Sequence, residues 1–147
     1  MIHKTAILDQ KSEVSSSANI GPYCVIGPKV KIDNNVNIQS HVNITGDTTI
    51  GDGCKIYPFA SIGNDPQDLK FNYEHTKLII GKNNKIREHV TINPGTSGGG
   101  GLTKIGDNCL IMIGAHIAHD CTIGNNVIIA NNAAIAGHAV IDENVVI

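Results

Sequence analysis

The 147-residue sequence predicts an all-β fold, a parallel β-helix of short stacked strands, on three observations. An aliphatic residue recurs at every sixth position, a small or β-branched residue follows four positions later, and the apolar content is dominated by Ile, Val and Ala. Two Phe, three Tyr and no Trp fill a conventional globular core poorly, whereas β-branched side chains suit thin stacked strands. No stretch gathers the straight-chain residues that favour helix, so almost none is expected.

The anchors run in phase from Ile2 through Leu8, Val14, Ile20, Ile26, Ile32, Ile38, Ile44, Ile50 and Ile56 to Ile62. They resume at Ile80, Ile86 and Ile92, and again at every sixth residue from Ile105 to Ile147. Four positions after each anchor comes a second inward residue, such as Ala18, Val30, Val36, Val42, Ala60, Val90, Ala115 or Val127. The residue after an anchor is often Gly, and the next two are often an Asn pair, as at Asn34-Asn35, Asn125-Asn126 and Asn131-Asn132. Gly and Asn tolerate left-handed backbone angles, so each hexad reads as one strand and one sharp corner. A single hexad cannot bury its apolar face, so stability must come from coils stacked at strand spacing.

All four cysteines, Cys24, Cys54, Cys109 and Cys121, fall at the small inward position, which makes them buried apolar residues rather than a disulfide framework or metal cluster. The longest apolar runs are short and broken by Asn, Gly or Asp, and the N-terminus lacks a basic-then-apolar signal pattern. The expectation is a cytoplasmic protein with no integral membrane segment. Net charge is −2, but every Lys and Arg lies at or before Lys104, so an acidic partner would meet the first part of the chain, with an uneven scatter of solvated charges as the alternative. Few aromatics and no dense basic patch argue against nucleic acid.

Two segments interrupt the repeat, one at about 64–79 containing Pro66-Gln67-Asp68-Leu69-Lys70, the other, 95–103, rich in glycine. Loops leaving a regular solenoid are good places for binding residues. Beyond them, His116, His119 and His138 lie off the inward positions and within little more than one coil of each other. If 18 residues make a coil, Gly137 stacks over His119 and His138 sits one step along. A base, the adjacent carboxylate of Asp120 and a glycine amide would then share one surface strip. His3, His41, His75 and His89 have no such company and read as ordinary surface histidines.

The hexads resemble the left-handed β-helix of the hexapeptide acyltransferases, in which three hexads make a triangular coil. The handedness is an expectation from that resemblance, because left-handed crossovers run against the usual rule. Gln67-Asp68-Leu69-Lys70, the run from Gly99 through Leu102-Thr103-Lys104 to Gly106, and Ala115-His116-Ile117-Ala118-His119-Asp120-Cys121 narrow it. Together they resemble the UDP-N-acetylglucosamine O-acyltransferases that begin lipid A synthesis, in register over the whole chain. The resemblance implies transfer of a 3-hydroxyacyl group from acyl carrier protein to the sugar 3-hydroxyl. It implies His119 as general base, Asp120 as its orienting partner and Gly137 as oxyanion donor. Asp68, His116 and His138 would contact the sugar nucleotide, with Gln67 and Lys70 assisting. It further implies a homotrimer, and no metal, redox cofactor or covalent enzyme intermediate. Lys77, Lys82, Lys85 and Arg87 form a candidate landing patch for the acidic carrier protein, with a solvated face as the alternative.

Two departures stand out. Asn93-Pro94 occupies positions where many family members carry His and Arg, and Asn can supply a hydrogen-bond donor there but no acid or base. The repeat also stops in mid-pattern at Ile147, so the C-terminal helical region of the family is expected to be missing. Three rival readings share the fold: a metal-dependent carbonic-anhydrase-like site built on the three histidines, a non-catalytic structural β-helix, and a relative that acylates the sugar amino group. The last usually carries an extra N-terminal uridine-binding domain, whereas the hexads here begin at Ile2.

Overall fold

The computed structural model describes residues 1–147 and is a stack of two- to four-residue strands, with a single 3-10 turn at Ser97–Gly99 as its only helical element. The strands are numbered β1 to β20 in chain order and form three parallel sheets. Every third strand joins the same sheet. One sheet runs from Ile7–Leu8 to Ala134–Ile135, the second from Glu13–Val14 to Val140–Ile141, and the third from Asn19–Ile20 to Ile128–Ile129. In the regular coils paired residues are 18 apart, as in Ile7 with Val25 and Ile20 with Ile38.

Each strand presents one inward residue, and the anchors form the core. Ile20, Ile26, Ile32, Ile38, Ile44, Ile56, Ile86, Ile111, Ile117 and Ile129 are essentially inaccessible, as are the second inward residues Ala18, Val30, Val36, Val90, Ala115 and Val127. Each fully buried Ile contributes about 1.5–3 kcal/mol of apolar transfer, and no other interior exists to supply it. The four cysteines are buried and unpaired, each Sγ donating to a carbonyl, for example Cys121 to Ala136 at 3.1 Å. Burial pushes their thiols up, Cys54 to about 11, which disfavours the thiolate. Asn84 replaces the small apolar residue in one coil and is satisfied there, donating to the Gly106 carbonyl and accepting from the Cys109 amide.

The corners differ from expectation in one respect. The left-handed residue is the third after the anchor, as at Asn35, Asn83, Asn108, Asn126 and Asn132. Glycine directly after the anchor serves close approach at Gly51 and Gly106, where a Cβ would stand 2.7 Å from the backbone of Gly81 and Gly124 respectively, whereas Gly63 after Ile62 is itself left-handed at φ 81°. Tyr23, His41, Phe59 and His89 hold this same left-handed corner position and form a column of rings with centroids 5.0–5.2 Å apart.

The insertions leave the stack without disturbing it. Ser61 in β10 (Ser61–Ile62) pairs with Thr91 in β13 (Thr91–Ile92), 30 residues on, and Thr91 pairs with His116 in β16 (His116–Ile117), 25 on. The strands β11 (Lys77–Ile80) and β14 (Leu102–Ile105) run longer than most and take in the last residues of both interrupted segments. Leu78 and Thr103 are thereby inward and buried. No helix is long and apolar enough to cross a membrane.

Candidate active site

The corner between β16 and β17 (Thr122–Ile123) carries His119 and Asp120, with Ile117 and Cys121 anchoring it from inside. Asp120 has the left-handed angles of that corner, φ 60°, and His138 repeats them one coil later at φ 63°. The His119 ring lies against the next coil, its Nδ1 2.8 Å from Asp120 Oδ2. A Cβ at residue 137 would stand 2.6 Å from the ring's Cε1 and 2.7 Å from Nε2, so only glycine leaves this ring its place. The Gly137 amide has no hydrogen-bond partner within the chain, and the His138 amide donates to the His119 carbonyl at 3.0 Å.

Asp120 is sealed: its side chain is 0% exposed, against 15% for His119 and 58% for His138. The Thr96 amide donates to Oδ1 at 2.8 Å and the Thr96 hydroxyl to Oδ2 at 2.6 Å. Burial pushes the carboxyl up, but the donors from Thr96 and His119 together outweigh it and hold the group below its ordinary value. A carboxylate surrounded by donors accepts only, so Nδ1 of His119 carries a proton, and in the neutral imidazole Nε2 is the bare nitrogen. The Asp120 amide in turn donates to Thr103 Oγ1 at 2.8 Å.

His116 faces the same way from β16, its Nδ1 2.7 Å from Thr91 Oγ1 on the neighbouring strand. Burial pushes its imidazole below the ordinary value, with the Thr91 backbone opposing the effect and His119 nearby adding to it. Gln67, Asn93, His116, His119 and Gly137 line one hollow, and Gln67, Asp68, Lys70, His119, Gly137 and His138 line the one beside it. The structure therefore brings Gln67, Asp68, Lys70, His116, His119, Gly137 and His138 to one strip, with Asp120 beneath it. Asp68 also shapes its loop, Oδ1 accepting from the Lys70 amide at 2.9 Å.

Several participants were not singled out by sequence. Glu74 ties the two insertions together, accepting from the amide and hydroxyl of Ser97, both at 3.1 Å; these bonds and one from the Asn72 amide lower its carboxyl to about 2. Asn93 spends its Nδ2 on the carbonyls of Asn64 and Asp65, so the donor expected for a substrate is occupied and Oδ1 is left buried without a partner. Thr91 and Thr103 carry no signal because threonine is ordinary in strands, and Thr96 none because it is ordinary in loops. A preference for hydroxyls on both sides of the glycine run was the available signal.

The candidate carrier-protein patch is divided. Lys77 lies in β11 and Lys85 in β12 (Lys85–Ile86), which belong to different sheets, while Lys82 pairs with Asp52 and Arg87 with Glu88. The other histidines stay outside the strip: His75 pairs with Asp47, His3 with Thr5, and His41 and His89 stand in the ring column. For a metal, donor atoms of His119, Asp120 and His138 lie within 4.8 Å of one another. The fit is poor, because the Asp120 carboxylate is enclosed by three hydrogen bonds and His116 is bonded to Thr91 away from this group.

The model of the bacterial transferase hexapeptide family (six repeats) matches residues 11–46, 30–64 and 102–137. An acyl-[acyl-carrier-protein]--UDP-N-acetylglucosamine O-acyltransferase of Thermodesulfovibrio yellowstonii is 51% identical over 127 residues, which is 86% of this chain and 49% of that protein. The protein of the same name from Rickettsia bellii is 51% identical over 83% of this chain and 43% of its own length. The chain thus spans about half the length of the curated relatives it matches. Among solved structures, LpxA from Acinetobacter baumannii superposes with a TM-score of 0.96 at 47% identity, over 99% of this chain and 56% of that one. LpxA from Bacteroides fragilis, a UDP-N-acetylglucosamine acyltransferase, gives 0.95 at 40% identity, over 99% and 57%.

Proposed function

Because the chain belongs to the bacterial transferase hexapeptide family, we propose that it forms the catalytic β-helix of an acyl-carrier-protein-dependent O-acyltransferase acting on UDP-N-acetylglucosamine. The observation that carries this reading is the His119–Asp120 pair packed under Gly137 at the mouth of both insertions. In this scheme His119 Nε2 removes the proton from the sugar 3-hydroxyl as the oxygen attacks the thioester carbonyl of a 3-hydroxyacyl carrier protein. A hydroxyl is a poor nucleophile until its proton is withdrawn, and a positioned base contributes about 10²–10⁴-fold. The tetrahedral oxyanion accepts a hydrogen bond from the Gly137 amide. Collapse expels the carrier's thiolate, which recovers the proton from His119, giving the 3-O-acyl sugar nucleotide and free thiol.

Gln67, Asp68 and Lys70 from the first insertion, with His116 and His138, hold the sugar nucleotide in the strip. His116, kept neutral by burial and bonded through Nδ1 to Thr91, offers Nε2 to a sugar oxygen or amide. The buried thiols are poorly suited to a covalent intermediate, and none is required. The hollows lined by His116, His119 and His138 are open to solvent, which suits a homotrimer with its substrate cleft between neighbouring β-helices. The setting is the cytoplasm, as the first acylation of lipid A synthesis.

The test is mass-spectrometric detection of O-acylated UDP-N-acetylglucosamine after incubation of the full-length gene product with 3-hydroxyacyl carrier proteins of several chain lengths. Product ester-linked at the 3-hydroxyl supports the reading. A folded protein that yields none across the series contradicts it.

A further inference from the structure

The glycine-rich insertion does more than border the strip, and its first threonine is the hub. The Thr96 carbonyl accepts from the Gly99 and Gly101 amides at 3.1 and 2.8 Å, closing the loop on itself around the turn at Ser97–Gly99. The amide and hydroxyl of the same residue hold both oxygens of Asp120, and Thr96 is only 4% exposed. The loop then passes so near the carboxylate that a Cβ on Gly99 would stand 2.1 Å from Asp120 Cγ, and one on Gly95 2.8 Å from Oδ1. A Cβ on Gly98 would meet nothing within 4 Å, so the contact belongs to particular positions and is not a property of the glycine run.

We infer that Thr96 is a positioning residue for the His119–Asp120 pair, and that the glycine-rich loop is a cover whose closure over Asp120 keeps the carboxylate dry and aimed at His119 Nδ1. The inference rests on the reading of His119 as the base. Three donors meet the two oxygens, one of them a backbone amide that cannot accept, so any rotation of the carboxylate short of the half-turn that merely exchanges its equivalent oxygens breaks at least one bond. His119 Nδ1–H is then held by an acceptor that cannot swing away, and the bare Nε2 keeps one direction. The other groups facing Asp120 are His138, with Nδ1 4.0 Å from Oδ2, and Thr103, which takes its amide. Neither replaces the Thr96 hydroxyl.

The test has an arm that does not depend on turnover. A histidine N–H bonded to a covered carboxylate gives a far-downfield proton resonance that exchanges slowly with water. That signal is expected for His119 in the unmodified protein, in Thr96→Ser and in Gly98→Ala, and is expected to broaden or vanish in Thr96→Val and Gly99→Ala. In the acyl-transfer assay Thr96→Val is expected to lower kcat about tenfold or more with KM for the sugar nucleotide nearly unchanged, and Thr96→Ser to restore kcat. Circular dichroism of each variant checks that the β-helix is intact. A downfield proton unchanged in folded Thr96→Val overturns the inference whatever the activity. A protein that shows the proton changes but never acylates the sugar nucleotide leaves Thr96 as the positioning residue and removes the acyltransferase reading instead.

Discussion

Two corners of the same solenoid, one coil face apart, show how a repeat acquires chemistry. At the corner after Ile123 the hexad continues Gly124-Asn125-Asn126, and the side chains form a ladder: Asn125 Oδ1 accepts from the Asp107 amide at 2.7 Å, its Nδ2 donates to Glu143, and Asn126 reaches Asn144. At the corner after Ile117 the hexad reads Ala118-His119-Asp120, with nearly the same backbone, φ 57° at Asn126 and 60° at Asp120. There the ladder is interrupted, because the residue stacked on His119 is Gly137. The space that a side chain would fill holds the imidazole ring, and the carboxylate that replaces an Asn is sealed by a loop. The backbone is therefore common property of the repeat, and the difference between a structural rung and a candidate base lies in three side-chain choices and one insertion.

Substitutions at the two corners should break that symmetry in a graded way. The largest effect is expected from His119→Ala, with acyl transfer falling about 10²–10⁴-fold and the circular dichroism spectrum unchanged. Gly137→Ala comes next: the new methyl must displace the ring from Asp120, and a displacement on the order of 1 Å costs about 10²-fold in turnover, while thermal unfolding moves little. Asp120→Asn should be read in stability. The Asp120 carboxyl is held below its ordinary value, so its ionised form favours the fold; that contribution is complete above the unfolded value of about 3.9 and is lost as pH falls through the folded value. The variant should unfold about 1–3 kcal/mol more easily at neutral pH, and urea titrations should show the gap narrowing below about pH 4. The smallest effect is expected at the regular corner, where Asn125→Ala should cost about 1 kcal/mol of stability and leave acyl transfer alone.

The anchors and inward positions of the solenoid were legible in the sequence because each hexad repeats the same two inward positions, and an error at one is corrected by its neighbours. Left-handed corners do use Asn and Gly, as at Asn126 and Gly114, but most glycines directly after an anchor answer to the coil above, as Gly51 does to Gly81, and contacts between coils cannot be seen within one hexad. His119, Gly137 and His138 could be aligned by counting 18 residues, since no insertion lies between them. Thr96, Thr91 and Glu74 could not. Their partners Asp120, His116 and Ser97 lie 23 to 25 residues away across an insertion or two, where the count fails and only loop closure decides what meets. Asn93 shows the same limit, its donor going to the Asn64 carbonyl 29 residues back instead of into the strip.

The corner after Ile117 presents an imidazole that, in its neutral form, carries its proton on Nδ1 and leaves Nε2 bare. Nitrogen-15 NMR of histidine-labelled protein at alkaline pH, with His119 assigned by comparison with His119→Ala, reads this tautomer directly. The account predicts a His119 signal pattern of Nδ1–H with an unprotonated Nε2. A proton on Nε2, in protein whose β-helix is intact, would contradict the hydrogen-bond scheme at Asp120 and with it the assignment of His119 as the base.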